Sequence, residues 1–148
     1  MQGYVCGFLF SPDRARVLLI RKRRPAWQVG RLNGIGGKIE AGETPAEAIR
    51  REFREEAALD VADWREVVVL AGADWRGHFF RAFGDVDAAR ALTDEQLEIH
   101  PTGNLPPDVI PNLKWIIPLL LDEDVARARY AVRVDNDSGP AQADRRTG

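Results

Sequence analysis

Glycine density limits the fold of this chain more than any other feature. Gly30, Gly34, Gly36 and Gly37 fall within eight residues, just ahead of a strongly signalled helix start. Glycines this close together suit neither a helix nor a well-packed strand, so a loop with unusual backbone angles is expected there. Thr44 is placed to cap a helix, Pro45 suits its first position, and Glu47 stands three residues after Thr44, as a capping box requires. Ala46, Ile49, Phe53 and Ala57 then recur at spacings of three and four, a core-facing stripe that fades near Leu59-Asp60.

The flanking segments supply a sheet for that helix to cover. Residues 4–10 and 17–20 are short apolar runs rich in aromatic and β-branched side chains, separated by Ser11-Pro12-Asp13, and read as a hairpin. The second run leads into Arg21-Lys22-Arg23-Arg24-Pro25, where a period of two puts Arg21 and Arg23 on one face and Lys22 on the other. A solvated strand end is the plain reading of such a charge run. Residues 67–70 and 78–83 read as two more strands joined across 72–77, in a mostly antiparallel or mixed sheet, and one more short strand or turn follows Thr93-Asp94-Glu95. Four prolines make residues 101–111 a stiff irregular loop, and residues 113–128 read as a second helix that Pro118 kinks or delays. The polar stretch 136–148 has no periodicity and is expected to be disordered, which leaves a single domain over residues 1–135.

Charge and cysteine content remove several function classes. Lys and Arg number 21 against 23 Asp and Glu, a formal charge of -2, so no whole-surface basic field exists to hold a nucleic-acid polymer. Cys6 is the only cysteine, which excludes an internal disulfide and a Cys-rich metal cage and points to the cytoplasm. The longest apolar run, Trp115-Ile116-Ile117 and Leu119-Leu120-Leu121, is split by Pro118, and no basic segment leads into an apolar one at the N-terminus. Neither secretion nor membrane spanning is expected.

On a helix, Glu52, Glu55 and Glu56 fall within an arc of about 100°, beside the apolar stripe. Carboxylates crowded on one edge repel each other unless a cation neutralises them, although a solvated acidic face is the commoner meaning of such a cluster. Oxygen-only ligands favour Mg²⁺ or Mn²⁺, and Mg²⁺ usually shares its shell with substrate phosphates. The surroundings sharpen this. Gly37, Glu43, Arg51-Glu52-Phe53-Arg54-Glu55-Glu56 and Leu59 stand at the spacings of the Nudix box, which this segment resembles at every fixed position but one. The exception is Ala58, where that family usually has glycine; a changed helix exit, with Ala58 outside the left-handed region, is expected.

The resemblance implies an α/β/α sandwich with a mixed central sheet, and hydrolysis of a nucleoside diphosphate linked to another group. It implies Glu52, Glu55 and Glu56 as metal ligands, the Gly37 carbonyl beside them, and Glu95 (or Glu98) as an additional acid from the later loop. Arg51 either orients the carboxylates or makes an ordinary helical ion pair with Glu47 or Glu55; Glu43 fixes the loop. Lys38 and Arg23 are the expected phosphate partners. Asn33-Gly34-Ile35-Gly36-Gly37-Lys38 resembles the MutT-type branch, in which an asparagine reads a purine base, although Asn33-Gly34 also suits a turn. Asn112 is the second base contact or the N-cap of the late helix, with Asp108 an outside candidate, and Trp115 is expected in the core. The implied reaction is Mg²⁺-dependent cleavage of a nucleoside triphosphate, such as an oxidised purine nucleotide, to monophosphate and pyrophosphate, with Glu55 or Glu56 handling the water proton. The partner is a small nucleotide, and the chain acts as monomer or homodimer. Hydrolysis of ADP-ribose, dinucleotides or capped RNA ends, or nucleotide sensing without catalysis, are the alternatives; a sensor would be expected to lack one of the acids.

Overall fold

The computed structural model describes residues 1–135, so the expectation for 136–148 lies outside the described residues. Period-two alternation in β1 (Gln2–Phe10) divides the interior: Val5 and Leu9 face one apolar cluster, while Tyr4, Cys6, Phe8 and Phe10 face another. Strand β6 (Trp75–Phe83) runs parallel to β1 in unbroken register from Gln2 opposite Trp75 to Phe10 opposite Phe83. On the other edge of β1, β4 (Ile35–Lys38) pairs antiparallel, with Val5 opposite Gly37 and Cys6 opposite Gly36. The remaining strands are β2 (Arg16–Arg21), β3 (Leu32–Asn33), β5 (Arg65–Ala71), β7 (Gln96–Pro101) and β8 (Tyr130–Arg133). They complete a mixed sheet in the order β3-β2-β1-β6-β5-β8, with β4 pairing β1 and β7 pairing β2. Helix α1 (Pro45–Ala57) covers one face; α2 (Leu113–Leu121) and α3 (Glu123–Ala128) cover the other. This is the expected α/β/α sandwich.

The glycine segment is not the expected loop. Gly36 and Gly37 lie within β4, and of the four glycines only Gly30 has a positive φ. Close approach explains them better than backbone freedom: a Cβ on Gly36 would sit 1.8 Å from the Val5 carbonyl oxygen. Only a residue without a side chain lets β4 lie this tightly on β1. The N-terminal hairpin is also shorter than expected, because β1 and β2 pair only at Phe10 opposite Val17. Beyond that point they diverge; β1 takes β4, and β2 pairs β7 along its whole length from Arg16 opposite Pro101 to Arg21 opposite Gln96.

Helix α1 begins as its sequence dictates, with Thr44 Oγ1 accepting from the Glu47 N–H at 3.1 Å and Glu47 Oε1 accepting from the Thr44 N–H at 2.9 Å. Ile49, Phe53 and Ala57 are buried as expected, but Ala48 takes the place of the exposed Ala46. Its exit corrects a second expectation: Ala58 adopts the left-handed conformation, at φ 58° and ψ 31°. The exit is held by its surroundings. The Arg90 N–H bonds the Ala57 carbonyl at 2.9 Å, and Asp60 pairs with Arg50 at 2.7 Å and Arg54 at 2.9 Å, folding the chain back onto α1.

On the opposite face the single late helix is two. It breaks at Asp122, whose carboxylate caps α3 by accepting from Asp124 N at 2.9 Å and Val125 N at 3.1 Å, while Pro118 sits inside α2 without ending it. Trp115 is not core. It lies off the buried stripe of Leu113, Ile116, Ile117 and Leu120 and is 42% exposed. Strand β8, parallel to β5, carried no sequence signal that singled it out. Among the described residues no helix is long and apolar enough to cross a membrane.

A left-handed alanine costs roughly 1 kcal/mol that glycine avoids. Ala58→Gly is therefore expected to stabilise the protein by about 1 kcal/mol in urea unfolding. An unchanged midpoint would show that this exit carries no strain.

Candidate active site

A cleft opens where β1, β4 and β6 meet the segments before β3 and α2. Trp75, Gly77 and Phe79 reach it as every second residue of β6, and Gly77 leaves room between the two rings. Trp27 and Gln28, from a 3₁₀ turn at Ala26–Gln28, form a further wall with Pro25. Cys6 and Asn33 also line it, with Ile110 and Asn112 on the side nearest α2 and Gly36 and Gly37 on the side nearest α1.

Asn33 lies in β3 opposite Ile20. Its Oδ1 accepts from the Gly34 N–H at 2.8 Å and from the Cys6 thiol at 3.6 Å, while its Nδ2 donates to Gln28 Oε1 at 3.0 Å. Burial pushes the Cys6 thiol up to about 12, so it remains a donor at neutral pH. Asn112 stands at the N-cap of α2 in a helical conformation, yet its side chain makes no capping bond. Its Oδ1 is buried in the cleft wall without a hydrogen-bond partner. Of the two sequence readings, capping does not describe its side chain. Asp108 lies outside the cleft lining and binds Arg21 at 2.6 Å.

The acidic edge of α1 adjoins this cleft through Gly37. A Cβ there would lie 2.6 Å from Glu52 Oε1, so the absent side chain is what lets the carboxylate meet β4. Arg51 organises the region: it binds Glu43 through two nitrogens at 2.6 and 2.9 Å, Glu52 at 3.0 Å, Glu55 at 3.3 Å and the Lys38 carbonyl at 3.2 Å. Its alternative helical partner, Glu47, is occupied by the capping box. Glu43 fixes the loop as expected, also accepting from the Glu40 N–H at 3.0 Å.

Glu56 is different. Its Oε2 is buried with no hydrogen-bond partner, and burial, reinforced by the charge of Glu52, pushes its carboxyl up to about 8. Glu95, only 3% exposed, lies close enough to add to that repulsion; it is held by Lys22 Nζ at 3.2 Å and the Arg23 N–H at 2.6 Å. Glu98 is committed elsewhere. It binds Arg21 and His100, and Arg21 holds its carboxyl at about 2. Glu95, just before β7, is the one beside Glu56, whereas Glu98 lies within that strand.

This donor set is all oxygen, and a buried carboxylate oxygen lacking a partner calls for a proton or a cation, which fits a hard divalent ion. Among the described residues no three carboxylate, imidazole or thiol groups are gathered in metal-binding geometry. Glu52 and Glu55 lean on Arg51, and Glu95 leans on Lys22. The arginine and lysine supply the positive charge in this arrangement.

The expected phosphate partners are placed less centrally. Lys38 is exposed at the end of β4, and Arg23 is 62% exposed with Asp94 at 3.6 Å, neither lining the cleft. Lys22 and Arg24 line it instead. Strand β2 ends at Arg21, so the period of two used to assign faces stops before these residues. Sequence reasoning also missed Trp27, Gln28, Trp75 and Phe79. The spacing of Trp75, Gly77 and Phe79 was a readable signal; for Trp27 and Gln28, in a segment without periodicity, there was none.

The family follows from this architecture together with a direct match: residues 2–130 fit the model of the NUDIX domain, and the chain belongs to that family. It is 50% identical over 46 residues to an oxidized purine nucleoside triphosphate hydrolase of Danio rerio, covering 31% of this chain and 29% of that protein. It is 35% identical over 97 residues to an octanoyltransferase of Myxococcus xanthus, covering 64% of this chain and 22% of that one. The chain thus spans less than a third of either relative. Among solved structures, the MutT protein from Bacillus halodurans superposes with a TM-score of 0.68 at 21% identity, over 94% of both chains. MutT from Burkholderia pseudomallei gives 0.64 at 21% identity, over 80% of this chain and 98% of that one. The fold is that of the MutT-like proteins.

A carboxyl whose folded value lies near 8 rather than 4.5 costs stability increasingly as pH rises through that interval. Glu56→Gln is accordingly expected to melt above the natural protein at pH 8 in metal-free buffer and level with it at pH 4. Mg²⁺ should raise the melting temperature of the natural protein and not that of the variant. Coincident curves at pH 8 would remove the buried charge from the account.

Proposed function

We propose that this protein is a Mg²⁺-dependent pyrophosphohydrolase that converts a purine nucleoside triphosphate, such as an oxidised one, to the monophosphate and pyrophosphate. The observation that carries the reading is Gly37, which lines the aromatic cleft and at the same time abuts Glu52 of the acidic edge. A ligand with a flat apolar head and an anionic tail would fill both parts. The partial match to the Danio rerio hydrolase of oxidized purine nucleoside triphosphates supports the choice of ligand.

In this reading Glu52, Glu55, Glu56, Glu95 and the Gly37 carbonyl hold Mg²⁺, with Mn²⁺ able to replace it. Bound there, the metal supplies charge neutralisation for the phosphates and acidifies a coordinated water. Glu56, or Glu55 beside it, accepts the proton of the attacking water. Arg51 keeps Glu52 and Glu55 aimed by charge-assisted hydrogen bonds, and Lys22 and Arg24 meet the phosphate chain, with Arg23 and Lys38 at its outer end. Asn33 and Asn112 hold the base edge between the aromatic walls. Cys6 as the one cysteine, with no internal disulfide to form, is consistent with work in a reducing cytoplasm.

A screen of nucleoside triphosphates, dinucleotides and ADP-ribose with Mg²⁺ tests this directly. Pyrophosphate and a nucleoside monophosphate are the expected products, and Glu56→Gln is expected to slow turnover by about 10² or more. Turnover confined to dinucleotides or ADP-ribose would move the protein to another substrate class, and undiminished turnover in the variant would displace the site.

A further inference from the structure

The amide of Asn33 has two acceptor lone pairs and two donor hydrogens. Three of these four are already taken: Oδ1 receives the Gly34 N–H at 2.8 Å and the Cys6 thiol at 3.6 Å, and one Nδ2 hydrogen goes to Gln28 Oε1 at 3.0 Å. Flipping the amide would set its NH₂ against the backbone Gly34 N–H, which cannot turn, and would set its oxygen against the Gln28 oxygen unless that amide turned with it. The main chain of Gln28 is fixed beside it: its backbone N–H bonds the Pro25 carbonyl at 2.9 Å, and its backbone carbonyl accepts from the Arg31 N–H at 2.9 Å. Both residues line the cleft. On the side nearest α2, Asn112 Oδ1 lacks a donor.

We propose that Gln28 is a positioning residue for base recognition, locking Asn33 so that it offers the ligand one hydrogen-bond donor and no acceptor. The inference rests on the reading of the cleft as a base site. The recognised base edge must then present an acceptor to Asn33, while a base N–H satisfies Asn112. Specificity of this kind is strong because a ligand of the wrong polarity leaves buried polar groups unpaired.

The test is a double-mutant cycle read by calorimetric titration of 8-oxo-dGMP, a probe whose binding does not depend on turnover. Asn33→Ala and Gln28→Ala are each expected to weaken binding about tenfold, the double variant no further than Asn33→Ala alone, since Gln28 acts through Asn33. Gln28→Glu keeps the accepting oxygen and is expected to restore binding to within about threefold of the natural protein. Melting temperatures of the single variants check that each is folded. If Asn33→Ala weakens binding but Gln28→Ala does not, or if the two losses add, the positioning role is overturned and the base site stands. If the natural protein does not bind the probe, or Asn33→Ala leaves its affinity unchanged, the base-site reading itself fails and this inference with it.

Discussion

Everything at the site depends on the close approach of β4 to β1. At Gly36 the Val5 carbonyl occupies the space that a side chain would need, and at the next residue, Gly37, a Cβ would crowd the Glu52 carboxylate at 2.6 Å. The two contacts set the distance from sheet to α1 on one side and leave the floor of the cleft open on the other. A larger residue at either position would push the acidic edge of α1 away from the cleft. The buried stripe of α1 then fixes its rotation, because Ile49 and Phe53 have one place to go.

Rotation alone would strand several negative charges at the rim of the core. The structure handles them unequally. Arg51 binds Glu43, Glu52 and Glu55 together and ties them to the backbone of β4, while Lys22 reaches Glu95 from the other side. Of these acids, Glu56 keeps a buried oxygen that nothing satisfies, and burial there raises its proton affinity. That cost to the folded chain is what the proposed cation would offset.

The cleft shows the same economy on its neutral side. Asn33 is held by a strand neighbour, a thiol and a turn glutamine, whereas Asn112 is left with a free oxygen although its position would let it cap α2. The first is rigid and the second is available. The pair faces a space walled by Trp27, Trp75 and Phe79.

Local patterns in the sequence were enough to determine the helix cap at Thr44 and Glu47, most of the buried stripe of α1, and the shared edge of Glu52, Glu55 and Glu56. Each of these depends on residues within one or two turns of one another, where helical geometry leaves little choice. Tertiary structure decided the rest. The glycine segment became a strand because of Val5, far away in the chain; Ala58 kept a left-handed exit because Arg90, Arg50 and Arg54 hold its surroundings; Lys22 and Arg24 turned to the cleft after β2 had ended. Arg21 and His100 hold Glu98, while Glu95 ends beside Glu56. These outcomes turn on non-local contacts, whose partners meet only once the sheet has brought distant segments together, and no short-range periodicity encodes them.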